Sequence, residues 1–220
     1  MTDILIFGST GLLGQALVSA ARSRGLTVTG AARRGADVQV DIGEDTSIAA
    51  VIDQVRPALV INAAAMIDIG RCEQEPERAW AINARAPGLI AEAATQAEAG
   101  CIHISTDHYY SGDGAGRHAE TDPVSFVNEY ARTKFAGESL VLAQADALVV
   151  RAAGSVLDLA DRKARGLFNI GCRDVYSKKK FVEELAARLG RRLTQASAGS
   201  VFDLPVRRAE SLGLDLSKAE

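Results

Sequence analysis

Short, almost wholly apolar runs alternate along the chain with longer stretches in which apolar residues recur every three or four positions. Ile4 to Phe7, Leu26 to Ala31, Val38 to Ile42, Ala58 to Ile61, Cys101 to Asp107 with its polar residues at the C-terminal end, and Ala147 to Arg151 have the length and composition of strands. Helical spacing fills the gaps: Gly14 to Arg24, Thr46 to Val55, and Tyr130 onward through Phe135, Leu140, Val141 and Leu142. Glu77 to Ala84 and Pro87 to Ala99 are also helical. Pro76 and Pro87 each suit a first turn, so this stretch reads as two consecutive helices or one kinked helix closing at Gly100. Regular alternation of strand and helix predicts an α/β fold, a Rossmann-type doubly wound parallel sheet. A run as uniformly apolar as Ala58 to Ile61 fits a strand buried on both faces.

The first strand ends in three glycines at three-residue spacing, Gly8, Gly11 and Gly14, and a helix follows at once. Strand, tight turn and helix in this order read as a phosphate cradle, with a plain strand-turn-helix connection as the alternative. Gly8 lets the chain leave the strand, Gly11 lets backbone N–H groups approach a pyrophosphate, and Gly14 lets the helix pack closely. The helix N-terminus then offers unpaired donors to the anion. Gly25 is the expected stop of that helix.

Composition narrows the partners. A formal net charge of −3 leaves no electrostatic footprint for nucleic acid, and 47 % hydrophobic with 24 % charged residues is ordinary for a globular chain. Cys72, Cys101 and Cys172 are odd in number and follow no CxxC pattern, which argues against a disulfide framework or zinc site and for a reducing, cytoplasmic setting. The N-terminal order is wrong for a signal peptide. No stretch approaches the ~18 apolar residues of a membrane span. No metal-ligand cluster, internal repeat or low-complexity tract stands out, so no metal is expected.

Candidate chemistry collects where strands end. Arg33 and Arg34 lie just past the second strand, about where arginine suits the 2′-phosphate of NADP, although two solvated loop charges would look the same. The coenzyme reading leans to NADP and keeps NAD open. Asn62 to Ala65 form the exit of the fourth strand, where small residues admit a ligand. His103, between Ile102 and Ile104, reads as a hydrogen-bonded sheet residue, and Trp80 as core or interface. Trp80 and Asn83, at i and i+3, are expected on one face. Tyr109 to Asn128 reads as a long loop. Tyr130 and Lys134, at i and i+4, project from one helical face, and an ammonium near a phenol favours phenolate and brings it toward the neutral range.

Taken together, the glycine turn, Asp41-Ile42, Val60 to Ala65, Ser105-Thr106-Asp107, Glu120 to Pro123 and Asn128 through Glu138 resemble the extended short-chain dehydrogenase/reductases, and within them the dTDP-4-dehydrorhamnose reductase group. The likeness covers nearly all of residues 1–151. Gly166 to Gly171, Ser177 to Leu189 and Leu214 to Lys218 resemble the group's C-terminal part. The resemblance implies an NAD(P)H-dependent reductase of a nucleotide-linked 4-keto-6-deoxy sugar. It implies Tyr130 as the acid, Lys134 on the nicotinamide ribose and tuning the phenol, and Thr106 orienting the carbonyl. It implies Asp41 and Ile42 beside the adenine and Ala63, Ala64 and Ala65 along the cofactor. Thr10, Leu12 and Leu13 of the turn, Asn83 and Ser105 complete the implied cofactor set.

The resemblance breaks after Arg151. Several tens of residues that build the sugar-nucleotide lobe in that group are missing, and the aromatic expected after Ser-Thr-Asp is His108. The expected division is a dinucleotide-binding domain over 1–154 and a truncated substrate-lobe remnant over 155–220, packed on the first domain. In that remnant a helix over 177–189, capped by Ser177, must dock on the first domain or on another chain. Lys178, Lys179 and Lys180 read as its solvated first turn, with substrate phosphate as an alternative. Apolar surface left by a shortened lobe would be covered in a homodimer. Two functions of different class therefore stay open: an enzyme with a smaller or differently held substrate, or an NAD(P)-binding sensor, subunit or scaffold without turnover.

Overall fold

The computed structural model describes residues 2–44, 46–110, 116–151, 164–170, 205–206 and 214–218. The expected helix over 177–189, its three lysines, the domain boundary after 154 and Gly112 and Gly114 of the long loop lie outside the described residues.

Seven strands form one sheet: β1 (Ile4–Phe7), β2 (Val28–Ala32), β3 (Val38–Gln39), β4 (Leu59–Asn62), β5 (Gly100–Ser105), β6 (Ala147–Arg151) and β7 (Gly166–Asn169). Their order is β3-β2-β1-β4-β5-β6-β7, and every pairing is parallel. The helices are α1 (Leu12–Ser23), α2 (Thr46–Val55), α3 (Ile69–Gln74), α4 (Pro76–Trp80), α5 (Ala86–Gln96) and α6 (Glu129–Leu142). Strand order reverses direction at β1, and the crevice beyond the carboxyl ends of β1 and β4 is where such a sheet takes ligands. No helix among the described residues is long and apolar enough to cross a membrane.

The two faces of the sheet build two cores because side chains alternate along each strand. Leu5, Phe7, Val60 and Val149 pack with Ile48, Ile52, Ile90 and Val141 of α2, α5 and α6, while Ile4, Ile6, Ile61, Ile102 and Leu148 pack with Leu17 and Ala21 of α1. Each such side chain contributes about 1.5–3 kcal/mol when buried. This two-sided burial is why the runs read as continuous apolar stretches.

Some boundaries differ from expectation. β3 pairs only at Val38 and Gln39, although Val40 and Ile42 stay buried. The short helix α3, capped by Asp68 accepting from the Arg71 N–H, is absent from the sequence reading because six residues carry too little periodicity. The helix after it closes at Gln96, and Glu98 takes the left-handed turn (φ 56°), while Gly100 opens β5.

α4 and α5 are one run joined by a π-helical turn over Ala81–Arg85. Pro87 has no N–H for the carbonyl four residues back, that of Asn83, and the turn widens there. That carbonyl faces α6: a Cβ on Gly137 would lie 2.1 Å from Asn83 O. Asn83 is buried while Trp80 is 42 % exposed, with the Arg132 guanidinium 6.0 Å over its ring. Both side chains nevertheless reach α6, Trp80 at Arg132 and Asn83 at Thr133.

Two glycines carry the turn. Gly8 takes φ 78°, and a Cβ on Gly14 would sit 2.1 Å from Gly8 O, so α1 rests directly on the turn. Gly25 (φ 75°) ends α1 as expected, with Gly25 N–H to Arg22 O and Leu26 N–H to Ala21 O forming a Schellman closure. A Cβ on Gly25 would meet nothing within 4 Å. Gly14→Ala should therefore cost about 3 kcal/mol or more by displacing α1, and Gly25→Ala only about 1–2 kcal/mol from the left-handed backbone. Urea unfolding of both variants checks this; equal losses would contradict the packing role of Gly14.

Candidate active site

A cavity of about 980 Å³ opens at the carboxyl ends of β1, β2 and β4. Gly8, Thr10 and Gly11 line it from the turn, Arg33 and Arg34 from the end of β2, Asp41 and Ile42 from beyond β3, and Ala63, Ala64 and Ala65 from the exit of β4. Ten of the residues singled out in the sequence thus share one wall system. Gly11 is the N-cap of α1 and offers no side-chain cap, so the first-turn N–H groups of this helix are not spent on its own chain. The donor set and the glycine surface fit a pyrophosphate.

The rest of the expected set lies elsewhere. Leu12 is 94 % exposed, and Leu13 packs against the core cluster under α1, so neither side chain lines the cavity. Asn83 is buried and grips the cavity wall from behind: its Oδ1 accepts from Met66 N–H (2.8 Å), and its Nδ2 donates to Met66 O (3.0 Å) and Thr133 Oγ1 (3.4 Å). It ties the loop after β4 to α6. The sequence reading missed Arg78, which lines the cavity 3.8 Å from Asp41, and Arg71, which lines it while paired with Glu75. Both come from helices whose approach to β3 the sequence does not reveal.

One strand over, α6 sets the second cluster. Asn128 caps it through Ala131 N–H (2.8 Å), which fixes where the first turn begins and therefore where Tyr130 and Lys134 point. Tyr130 is buried, with the Thr106 side chain at the carboxyl end of β5 acting on its phenol and His108 packed edge-on against its ring at 5.7 Å. Burial pushes this phenol above its ordinary range; the Thr106 contact opposes that and Asp107 adds to it. Lys134 does not pull it down. Its Nζ instead donates to Ile104 O (2.7 Å) and lies 3.3 Å from His103 Nε2, because these are the polar atoms within reach at the buried sheet surface. The tuning expected from an adjacent ammonium is thus not built into the unliganded arrangement. Burial pulls the Lys134 amine down to about 8, with Glu138 opposing. His103, buried as expected, is held well below its usual range by desolvation first and Lys134 second.

Ser105 belongs to a buried network instead of the cavity. Its Oγ donates to Glu138 Oε2 (2.9 Å) and lies 2.6 Å from Tyr109 Oη. Glu138 holds Arg151 through two contacts of 2.5 and 3.1 Å, and Arg151 also bonds Tyr110 Oη and lies under the Tyr109 ring at 5.1 Å. Tyr110 stacks on His118 at 4.2 Å. α6, β5, β6 and the loop after β5 are joined here. A signal existed: Tyr130, Lys134 and Glu138 repeat every four residues on one helical stripe.

The family model described as the RmlD substrate binding domain matches residues 1–163. A probable low-salt glycan biosynthesis reductase, Agl14, of Haloferax volcanii is 27 % identical over 98 % of this chain and 90 % of its own. That alignment runs to 270 positions against 220 residues here, so the relative carries residues without a counterpart in this chain. The dTDP-4-dehydrorhamnose reductase of Mycolicibacterium smegmatis is 39 % identical over 68 % of this chain but only 45 % of its own, so the chain matches about half of that relative's length. Among solved structures, a hypothetical dTDP-4-dehydrorhamnose reductase from Sulfolobus tokodaii superposes with a TM-score of 0.86 at 23 % identity, covering 99 % of this chain and 93 % of that one. The Bacillus anthracis dTDP-4-dehydrorhamnose reductase in complex with NADP gives 0.80 at 18 % identity, with 96 % and 88 % covered. At these identities the likeness is one of fold.

Two outcomes follow from the buried charges. Glu138→Ala should cost about 3–5 kcal/mol by leaving Arg151 unpaired, and the double replacement Glu138→Leu with Arg151→Met should cost less than that single one, as measured by urea unfolding. For Lys134 the native chain binds fewer protons than the unfolded chain between pH 8 and its ordinary value of 10.5. Stability should rise with pH across that window, and Lys134→Met should abolish the rise.

Proposed function

The chain belongs to the RmlD substrate binding domain family, and from that premise we propose that it is an NAD(P)H-dependent reductase of a nucleotide-linked 4-keto-6-deoxy sugar. The observation that carries the reading is the occurrence, in one sheet, of a glycine-floored cavity at the β1–β4 crevice and of a buried Tyr130 phenol near Thr106 at the end of β5. A glycine cradle alone would fit any nucleotide; a protonated phenol at the carboxyl end of the same sheet supports a reaction.

When bound, the nicotinamide coenzyme supplies the hydride. The chain's own residues do the rest. First-turn N–H groups of α1 and the surfaces of Gly8 and Gly11 hold a pyrophosphate, while Asp41 and Ile42 border the adenine end. Arg33 and Arg34, exposed at the rim, offer cations to a 2′-phosphate, which supports NADPH over NADH. Tyr130 gives its proton to the carbonyl oxygen as charge develops there, and a phenol kept protonated by burial is in the right state to do so. Thr106 orients the oxygen. Lys134 sits one turn along α6 and braces the floor of the site through Ile104.

A second reading, an NAD(P)-binding sensor, subunit or scaffold, draws on the unmatched half of relatives such as the Mycolicibacterium enzyme. Remote contacts to the substrate supply much of the transition-state geometry, and a chain lacking them could bind coenzyme without turnover. Screening 4-keto-sugar nucleotides for NADPH oxidation separates the two. Tyr130→Phe should lower kcat by about 10²–10⁴-fold with little change in NADPH affinity, and Arg34→Ala should weaken NADPH by about tenfold or more while sparing NADH. NADPH binding with no oxidation of any substrate would favour the second reading; binding of neither coenzyme would remove both.

A further inference from the structure

A line of polar groups runs from the cavity wall to α6 through the middle of the sheet. Ala64 N–H donates to Asn62 Oδ1 (3.1 Å), Asn62 Nδ2 lies 3.2 Å from His103 Nδ1, His103 Nε2 lies 3.3 Å from Lys134 Nζ, and Lys134 Nζ donates to Ile104 O (2.7 Å). Asn62, His103 and Lys134 are exposed by only 1 %, 0 % and 2 %, so solvent does not relieve a mismatched pair.

The line has one consistent direction. Ala64 N–H needs an acceptor, which turns the Asn62 carbonyl toward the cavity wall and its amino group toward the imidazole. That amino group can only donate, so His103 Nδ1 accepts and the neutral ring carries its proton on Nε2. Nε2–H then faces Lys134 Nζ, which accepts a hydrogen bond only as an uncharged amine. An ammonium would demand the reverse: Nε2 as acceptor, Nδ1–H against Asn62, and the amide turned over so that its amino group meets Ala64 N–H. Every partner cannot be satisfied in that state.

We infer that Asn62 and His103 are positioning residues that set the proton state of Lys134, with His103 moving its own proton between Nε2 and Nδ1 as Lys134 titrates and never becoming charged. The other groups facing Lys134 are Glu138, one turn along α6 and already engaged by Arg151 and Ser105, and Tyr130, one turn back. Asn62 faces His103 from β4, and Lys134 is the charge beside it. The directions agree with the geometry, since burial lowers both the amine and the imidazole. For turnover the consequence rests on the reductase reading: a lysine one helical turn from the acid would switch charge near neutral pH, under control of two residues that touch no substrate. The relay itself belongs to the chain without ligand.

The test is ¹⁵N and ¹³C NMR of the unliganded protein, following the His103 ring nitrogens and the Lys134 Nζ and Cε signals together from pH 6 to 10.5. The expected result is a neutral His103 throughout, protonated on Nε2 at high pH and on Nδ1 at low pH, with a midpoint coincident with that of Lys134. A ring that keeps one tautomer while Lys134 titrates, or that becomes imidazolium in step with it, would overturn the inference. So would a Lys134 that stays charged to pH 10. Asn62→Asp supplies a second measurement, because a carboxylate accepts from both Ala64 N–H and His103 Nδ1–H and pins the reversed line. It should hold His103 on Nδ1 at every pH and raise the proton affinity of Lys134 at least tenfold; an unmoved midpoint counts against the relay. If that variant does not fold, the wild-type titration decides alone. Because no coenzyme is present, a coupled switch in a chain that fails to bind NADPH would sink the reductase reading and leave the relay standing.

Discussion

The carboxyl ends of β4, β5 and β6 are dry, and polar side chains were nevertheless put there. Asn62, His103, Ser105, Lys134, Glu138 and Arg151 are all buried. Groups of this kind are tolerated only when each finds a partner of the right sense, and an ion stranded among them is far more costly than one at the surface. That requirement organises the region. It draws α6 onto the sheet through Glu138 and Arg151, fixes the loop after β5 through Tyr109 and Tyr110, and leaves Lys134 bonded to the strand below it.

Close backbone approach does the matching work on the apolar side. Gly14 lets α1 rest on the Gly8 carbonyl, and Gly137 lets α6 reach the Asn83 carbonyl freed by Pro87. The first seats a helix on the rim of the sheet, and the second seats α6 on the π-helical turn between α4 and α5. The first brings helix N–H groups to the cavity, and the second helps fix α6, which carries Tyr130. The two halves of the site are therefore placed by independent packing events, and Asn83 connects them by holding the Met66 loop and Thr133 at once.

The contrast between the phenol and the amine follows from the same burial. Desolvation favours the neutral form of each, so it raises an acid such as Tyr130 and lowers a base such as Lys134. The phenol is kept protonated and the amine is kept easy to discharge. Proximity along a helix does not by itself couple them, since each side chain turns to whichever partner the strand beneath it presents.

The sequence by itself determined the alternation of strands and helices, the glycine turn, the order of the candidate residues and the two-sided burial of the sheet. These are short-range or periodic properties, and apolar runs, glycine spacing and caps such as Asn128 record them directly. It also identified His103 as a sheet residue. Only the tertiary structure decided what that histidine faces, that Asn83 and Ser105 brace the site instead of lining it, that Arg71 and Arg78 join the cavity wall, and that Arg151 is the partner of Glu138. Those outcomes depend on which strands become neighbours and which helices pack together, and contacts between residues tens of positions apart leave no periodic trace in the chain. A buried polar residue shows its kind in the sequence, but its partner is chosen by the fold that removes the water around it.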